Sequence, residues 1–190
     1  MELTEAIRER HSYRSFTDQA VSRVKLERLV DAARLAPSSM NKQPWRLDVT
    51  TGETRRKIDE TMAHTTVYLQ EYLDVLGRSS DLIESASRFA NNLGNAPVVI
   101  VVSVAMPDEG MEELNTYLSA GAAIENLMLA ATAEGLATCT VTFSFWVRDD
   151  LAKLLGIPDD RIIVSLIAVG YAAEHAAAPE HDRDVAVWHD

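Results

Sequence analysis

The chain is short of cysteine, of positive charge and of long apolar runs, and each shortage removes a class of function. Its one cysteine, Cys139, cannot form an internal disulfide, which points to a reducing compartment. Lysine and arginine number 18 against 29 aspartates and glutamates, giving a net charge of −11 and a pI near 4.9. Such a surface repels nucleic-acid phosphates and anionic lipid, so neither nucleic acid nor a membrane is an expected partner. No N-terminal apolar stretch has the form of a signal peptide, and no run is long enough to span a bilayer. The expected location is therefore the cytoplasm. No Gly-x-Gly-x-x-Gly follows a strand pattern and there is no P-loop, which argues against a dinucleotide held in a Rossmann fold. No pair of the five histidines has metal-ligand spacing with carboxylate support, so no metal is expected. Neither a nucleophile nor a general base stands out. Repeats, charge blocks and linkers are also missing, so residues 1–190 read as one domain. An apolar content of 47% suffices for a sizeable core.

Against the acidic background, two polar stretches stand out. Arg10-His11-Ser12-Tyr13-Arg14-Ser15-Phe16 offers two guanidinium groups, a hydroxyl and an imidazole within five residues. Guanidinium forks pair with phosphate oxygens, so this cluster suits a phosphate. Ala36-Pro37-Ser38-Ser39-Met40-Asn41-Lys42-Gln43-Pro44-Trp45 offers two hydroxyls and two carboxamides fenced by prolines. Carboxamides both donate and accept, which suits a flat heterocycle with mixed edges. A phosphate at one end and such a ring at the other describe a mononucleotide.

The remaining pattern is α+β. Residues Glu2–Glu9 read as a short helix with Leu3, Ala6 and Ile7 on one face. Ser22 has the character of an N-cap, followed by Leu26, Leu29, Val30 and Ala33 at helical spacing. Trp45–Thr51 reads as a strand, and residues 53–93 as mostly helical. Within them Tyr68, Leu69, Tyr72, Leu73 and Leu76 form a stripe expected to be core rather than a substrate gate. Val98–Val104 and Ile162–Val169 are β-branched runs of the kind that form strands buried on both faces. Between them Leu114–Glu134 is a long helix rich in small residues, which lets it lie close to a neighbour. Ala137–Phe143 reads as a strand or extended loop, and Arg148–Leu155 as a short helix. Cys139 and Trp45 read as buried structural residues.

These motifs, taken in order, resemble those of the FMN-dependent nitroreductase family. The carriers are the two polar stretches, then Ala96-Pro97-Val98-Val99-Ile100-Val101 and Gly121-Ala122-Ala123-Ile124-Glu125-Asn126-Leu127. Gly135-Leu136-Ala137-Thr138, Leu155-Gly156-Ile157-Pro158 and Val169-Gly170-Tyr171 complete the series. The resemblance implies an α+β fold with a central mixed, mostly antiparallel sheet flanked by helices. It further implies a homodimer with FMN at the interface and a C-terminal tail reaching the partner.

Carried over by position, Arg10 and Arg14 would hold the ribityl-phosphate and the pyrimidine edge, beside His11 and with a polar contact from Ser12. Pro37, Ser38, Ser39, Asn41 and Gln43 would meet the ring from the other subunit. Thr140, Val141, Thr142 and Phe143 match the stretch whose backbone lines the isoalloxazine. His181 and Arg183 match a basic pair that completes the phosphate site. Relatives often carry glycines where Thr142 and Phe143 stand, and a permanent cation where His181 stands. A lysine common in the helix before Pro97 has no counterpart, Arg88, Asn91 and Asn92 being nearest. The implied activity is ping-pong hydride transfer from NADH or NADPH through flavin N5 to a nitroaromatic, quinone or related small acceptor, with Arg14 supporting charge on the reduced flavin. The alternatives are the same fold with dehalogenase- or dehydrogenase-type flavin chemistry, or a non-catalytic flavin-binding module.

Overall fold

The structure, a computed structural model, describes residues 1–174, 182 and 185–189. Among the described residues, seven α-helices surround one four-stranded sheet. The helices are α1 (Leu3–Glu9), α2 (Arg23–Arg34), α3 (Gly52–Ala63), α4 (Thr65–Val75), α5 (Ser80–Asn92), α6 (Met111–Ala133) and α7 (Arg148–Leu155). The strands are β1 (Trp45–Thr50), β2 (Val98–Ala105), β3 (Ala137–Val141) and β4 (Arg161–Gly170), in the order β1-β2-β4-β3. All three ladders are antiparallel. Among the described residues the parallel component of the expected mixed sheet is a single bridge, Ser12 to Thr138.

The central strands explain the β-branched runs. Alternate side chains of a strand point to opposite faces. Val99 and Val101 of β2 join Leu166 and Ala168 of β4 and Cys139 of β3 under α3, α5 and α7. Val98, Ile100 and Val102 join Ile167 and Val169 under α2 and α6. Both faces are thus covered, and β2 is buried from Val98 to Val104. The small residues of α6 serve this packing: Ala120 and Ala123 are buried. Asn126 Nδ2 donates to the Ala32 carbonyl of α2 at 3.2 Å, tying the two helices together. Ser22 is the N-cap of α2, its hydroxyl accepting from the Lys25 amide. The chain turns out of α6 at Gly135, whose φ of +72° an L side chain rarely adopts.

On α1 only Ala6 is buried, and Leu3 and Ile7 are exposed. One expectation fails. On α4 the apolar stripe is not core. Leu69 is buried, but Tyr68 and Tyr72 are each 52% exposed. The physical reason is position: α4 lies outside the sheet layers, packed on α5 and on the segment Phe143–Val147. There its two tyrosines flank Trp146, one stacked at 6.1 Å and one edge-on at 6.0 Å between ring centroids.

Candidate functional site

The two polar loops hang on α6 at different levels. In the first loop, the Arg10 guanidinium pairs with Glu125 of α6 at 3.1 Å through Nε. The loop then runs along β3: Ser12 bridges to Thr138, and the Tyr13 amide donates to the Thr138 carbonyl at 3.0 Å. Ser12 and Arg14 are exposed, and among the described residues Arg14 forms no ion pair. Cys139 lies beneath them. Burial pushes its thiol pKa up, and the positive charge of Arg14 and a hydrogen bond with Ser12 pull it partly back. His11 is half-buried, and its Nδ1 is enclosed without a hydrogen-bond partner among the described residues.

The second loop is built around Ser38. Its hydroxyl accepts from the Gln43 amide at 2.9 Å, and its carbonyl accepts from the Asn41 amide at 3.0 Å. Gln43 Nε2 donates to Asn41 Oδ1 at 3.0 Å, pre-setting both carboxamides. The Ser39 amide donates to Ser119 Oγ of α6 at 3.3 Å, and Lys42 pairs with Glu112 at 2.6 Å. Ser119 and Glu125, the two loops' anchors, are six residues apart, about 9 Å along a helix axis. No hydrogen bond or ion pair among the described residues joins the loops to each other.

A third segment was not singled out from sequence as part of the site. The turn after α5, Leu93-Gly94-Asn95, has three successive residues in the left-handed region, with φ of +48°, +66° and +61°. Gly94 accepts from the Phe16 amide at 2.9 Å and packs on the Arg14 carbonyl. Arg14, Arg88, Asn92 and Asn95 thereby line one cleft of about 330 Å³. Arg88 and Asn92 are two of the three residues nearest the missing lysine. The sequence signal was present in Asn92-Leu93-Gly94-Asn95, where Asn and Gly are the residues that tolerate positive φ.

The β3 end is also brought to α6. Thr140 and Thr142 line an open cavity of about 390 Å³ with Tyr117, Gly121 and Ile124. Thr140 donates to Met128 Sδ at 3.0 Å. Val141 is buried, and its carbonyl accepts from Ser165 Oγ at 3.1 Å. Phe143, expected to stand beside the site, turns inward instead, packing on the core and edge-on against Phe89. Its bulk is absorbed by the core, so the non-glycine residue there does not project over the β3 end. Pro37 is exposed beside Ser38. His181 and Arg183 lie outside the described residues. A cavity of about 720 Å³ lies elsewhere, between α2 and β1, the strand at the edge of the sheet among the described residues. No helix among the described residues is long and apolar enough to cross a membrane.

The chain can be placed beside known proteins. The family model described as Nitroreductase family matches residues 7–171. A nitrobenzene nitroreductase from Ectopseudomonas oleovorans is 29% identical, the match covering 96% of this chain and 91% of that one. An iodotyrosine deiodinase from Haliscomenobacter hydrossis is 30% identical over 92% of this chain and 80% of its own. Among solved structures, an FMN and NADPH-dependent nitroreductase, NfnB from Sphigopyxis sp. strain HMH, superposes with a TM-score of 0.82 at 25% identity, over the whole of both chains.

Proposed function

The chain belongs to the nitroreductase family, and from that premise we propose that it is an FMN-dependent oxidoreductase drawing on NADH or NADPH and reducing a nitroaromatic, quinone or related small acceptor. The observation that carries this is the pair of donor-rich loops anchored on α6, one at Ser119 and one at Glu125. The donor set fits a flavin mononucleotide. Arg14 has no ion-pair partner among the described residues, and Arg10 approaches Glu125 through Nε, with no hydrogen bond among the described residues on its terminal nitrogens. FMN, when bound, supplies hydride acceptance and return at N5. The chain's own task is to bind, orient and keep a slot open. Arg10, Ser12 and Arg14 hold the phosphate and the pyrimidine edge, and the Arg14 charge favours negative charge there. The strand end from Thr140 to Thr142, where both threonines are exposed, lines the ring. His181 and Arg183 complete the phosphate site.

The second loop, Pro37 to Gln43, serves the flavin of a partner subunit. Met111, Leu114, Leu118 and Gly121 recur every three or four residues on α6 and are exposed. Leu114 and Leu118 are 59% and 64% exposed, an apolar stripe of the kind that meets another protein surface. The stripe shares α6 with the anchors of both loops. A homodimer packed on it juxtaposes one chain's Arg10–Arg14 with the other's Ser38–Gln43. The exposed Val185, Val187 and Trp188 belong to the tail that reaches the partner. The deiodinase relative supports a second reading, reductive dehalogenation on the same flavin site.

Titrating the purified chain with FMN and recording its visible spectrum tests the proposal. Flavin absorbance should appear with the protein and bleach under anaerobic NADPH or NADH, then return with a nitro compound. A protein that gains no flavin absorbance defeats it. Arg14→Ala removes one charge-assisted contact, worth about 1.5–3 kcal/mol or roughly 10- to 100-fold in FMN affinity. The dimer should persist by size-exclusion chromatography. Unchanged flavin occupancy refutes the assignment of Arg14.

A further inference from the structure

Arg55 is only 4% exposed, although arginine is rarely buried unless its donors are paired. Its guanidinium spans the turn after α5. Nε donates to the Ala96 carbonyl and Nη2 to the Asn92 carbonyl, both at 2.9 Å. The remaining nitrogen, Nη1, pairs with Asp59 one helical turn along. The two carbonyls bracket Leu93-Gly94-Asn95, the run of three left-handed residues. A turn with two non-glycine residues at positive φ persists only where its surroundings over-determine it. The Arg55 fork pins both ends. Asn92 Oδ1 accepts from the Gly94 amide at 3.1 Å, and its Nδ2 donates to Asn95 Oδ1 at 2.9 Å, bracing the middle.

The turn in turn sets the loop that carries Arg14. The Gly94 carbonyl accepts from the Phe16 amide, and a methyl group on Gly94 would collide with the Arg14 carbonyl and stand 3.2 Å from the Phe16 ring. A methyl group on Gly170 would stand 3.1 Å from the opposite edge of that ring. A continuous path therefore runs from Arg55 through the Asn92 and Ala96 carbonyls and Gly94 to the backbone of Arg14.

We infer that Arg55 is a positioning residue for the flavin site. It holds the Asn92–Ala96 turn in its left-handed form, and so fixes the direction in which Arg14 leaves the backbone. The link to flavin rests on the function proposed above. Arg55 itself touches no cofactor in this scheme. A lysine at 55 keeps the charge but, as a single ammonium on a flexible stem, cannot pin two carbonyls and Asp59 together.

Amide hydrogen exchange on the flavin-free chain, read residue by residue, tests this. In Arg55→Lys the Phe16 amide should exchange at least tenfold faster than in the wild type. The Tyr13 amide, bonded to Thr138 instead, and the β2 amides should keep their protection. FMN affinity should fall tenfold or more in the same variant. Asp59→Asn leaves both carbonyl contacts in place, so its Phe16 protection should change no more than that of β2. Unchanged Phe16 exchange in folded Arg55→Lys overturns the inference, and so does equal acceleration of Phe16, Tyr13 and β2, which is the signature of a merely structural residue. If Arg55→Lys does not fold, Arg55→Gln, able to keep one carbonyl contact, is read the same way. Should neither fold, Arg55 is a determinant of the fold and the inference fails. The exchange measurement needs no flavin. A wild-type chain that takes up no FMN therefore defeats the proposed function, while the loop result is still decided by Phe16.

Discussion

Replacing Gly94 by alanine separates two costs that are usually entangled. Gly94 has φ of +66°, and an added methyl carbon would lie 2.7 Å from the Arg14 carbonyl carbon, closer still to its oxygen, and 3.2 Å from the Phe16 ring. The left-handed conformation costs an L residue about 1–2 kcal/mol. Inserting a methyl group into backbone that cannot rotate away adds about 1–3 kcal/mol. The sum is roughly 2–5 kcal/mol, which for a chain of this size lowers the melting temperature by roughly 5–15 °C. Gly77 supplies the control. Its φ is +64°, yet nothing lies within 4 Å of the position its methyl would take. Gly77→Ala should therefore show the conformational cost alone, about 1–2 kcal/mol. Thermal or urea unfolding of both variants, followed by circular dichroism without flavin, gives the difference between them. That difference is the contact of the turn with the Arg14 backbone. Equal losses for the two variants would falsify the claim that Gly94 is pressed against that loop.

Other expectations are simpler. Leu118→Asp puts a carboxylate in the exposed apolar stripe of α6 and should convert the proposed homodimer to monomer at micromolar concentration, read by analytical ultracentrifugation; an unchanged sedimentation coefficient refutes a dimer packed on this stripe. Cys139 should resist thiol reagents at pH 8 in the native chain and react once urea unfolds it, because burial holds its pKa above the ordinary 9.0. The sign for stability follows. With the folded pKa raised, the unfolded chain loses its proton first, so the thiol's contribution is complete below about pH 9 and declines as pH rises through the folded value. The wild type should thus lose more stability than Cys139→Ala between pH 8 and 10, and parallel losses in urea titrations would contradict it. Ser22→Ala removes the cap of α2 and should cost about 1 kcal/mol, seen as a lower urea midpoint with an unchanged slope.

The legible parts of this fold were those whose signal is local. Ser22 announces a cap because its hydroxyl needs only the amide three residues on. Val98–Val104 announces a doubly buried strand because β-branching and unbroken apolarity have few other uses. The stripe on α4 misled for the opposite reason. Periodicity marks an amphipathic helix, but whether its apolar face meets the sheet depends on contacts distant in sequence. Tyr68 and Tyr72 found Trp146, more than seventy residues away, at the molecule's edge. Phe143 misled similarly. Its neighbours in sequence belong to the ring-lining stretch, but the strand ends at Val141 and the following turn sends the ring inward toward Phe89. At the site, the donors were visible as residue types. The turn that sets their direction was not, because the strain lies in φ angles of Leu93 and Asn95 that only the folded chain adopts.

That strain is itself informative. Among the described residues, the non-glycine positions with positive φ are Met40, Asn41, Gln43, Leu93 and Asn95. All five fall in two turns, one being the second donor loop and the other the turn behind Arg14. Elsewhere the chain meets the same need with glycine, at Gly52, Gly77, Gly110, Gly135 and Gly156. Glycine would relieve the strain at Met40 or Leu93 as well, since each such residue costs about 1–3 kcal/mol. It would do so by giving up the side chains and the stiffness. Asn41 and Gln43 need their carboxamides where the loop places them, bonded to one another. Leu93 is fully buried and anchors its turn to the core beneath Arg55. A loop that must present donors to a rigid, flat ligand loses affinity for each degree of freedom it freezes on binding. Backbone held in a poorly populated conformation by Ser38, Ser119 and Lys42 on one side, and by Arg55 and Asn92 on the other, has met that entropy loss during folding. The five residues thus mark the two turns that the proposed dimer would bring to one flavin, although no hydrogen bond or ion pair among the described residues joins them within one chain.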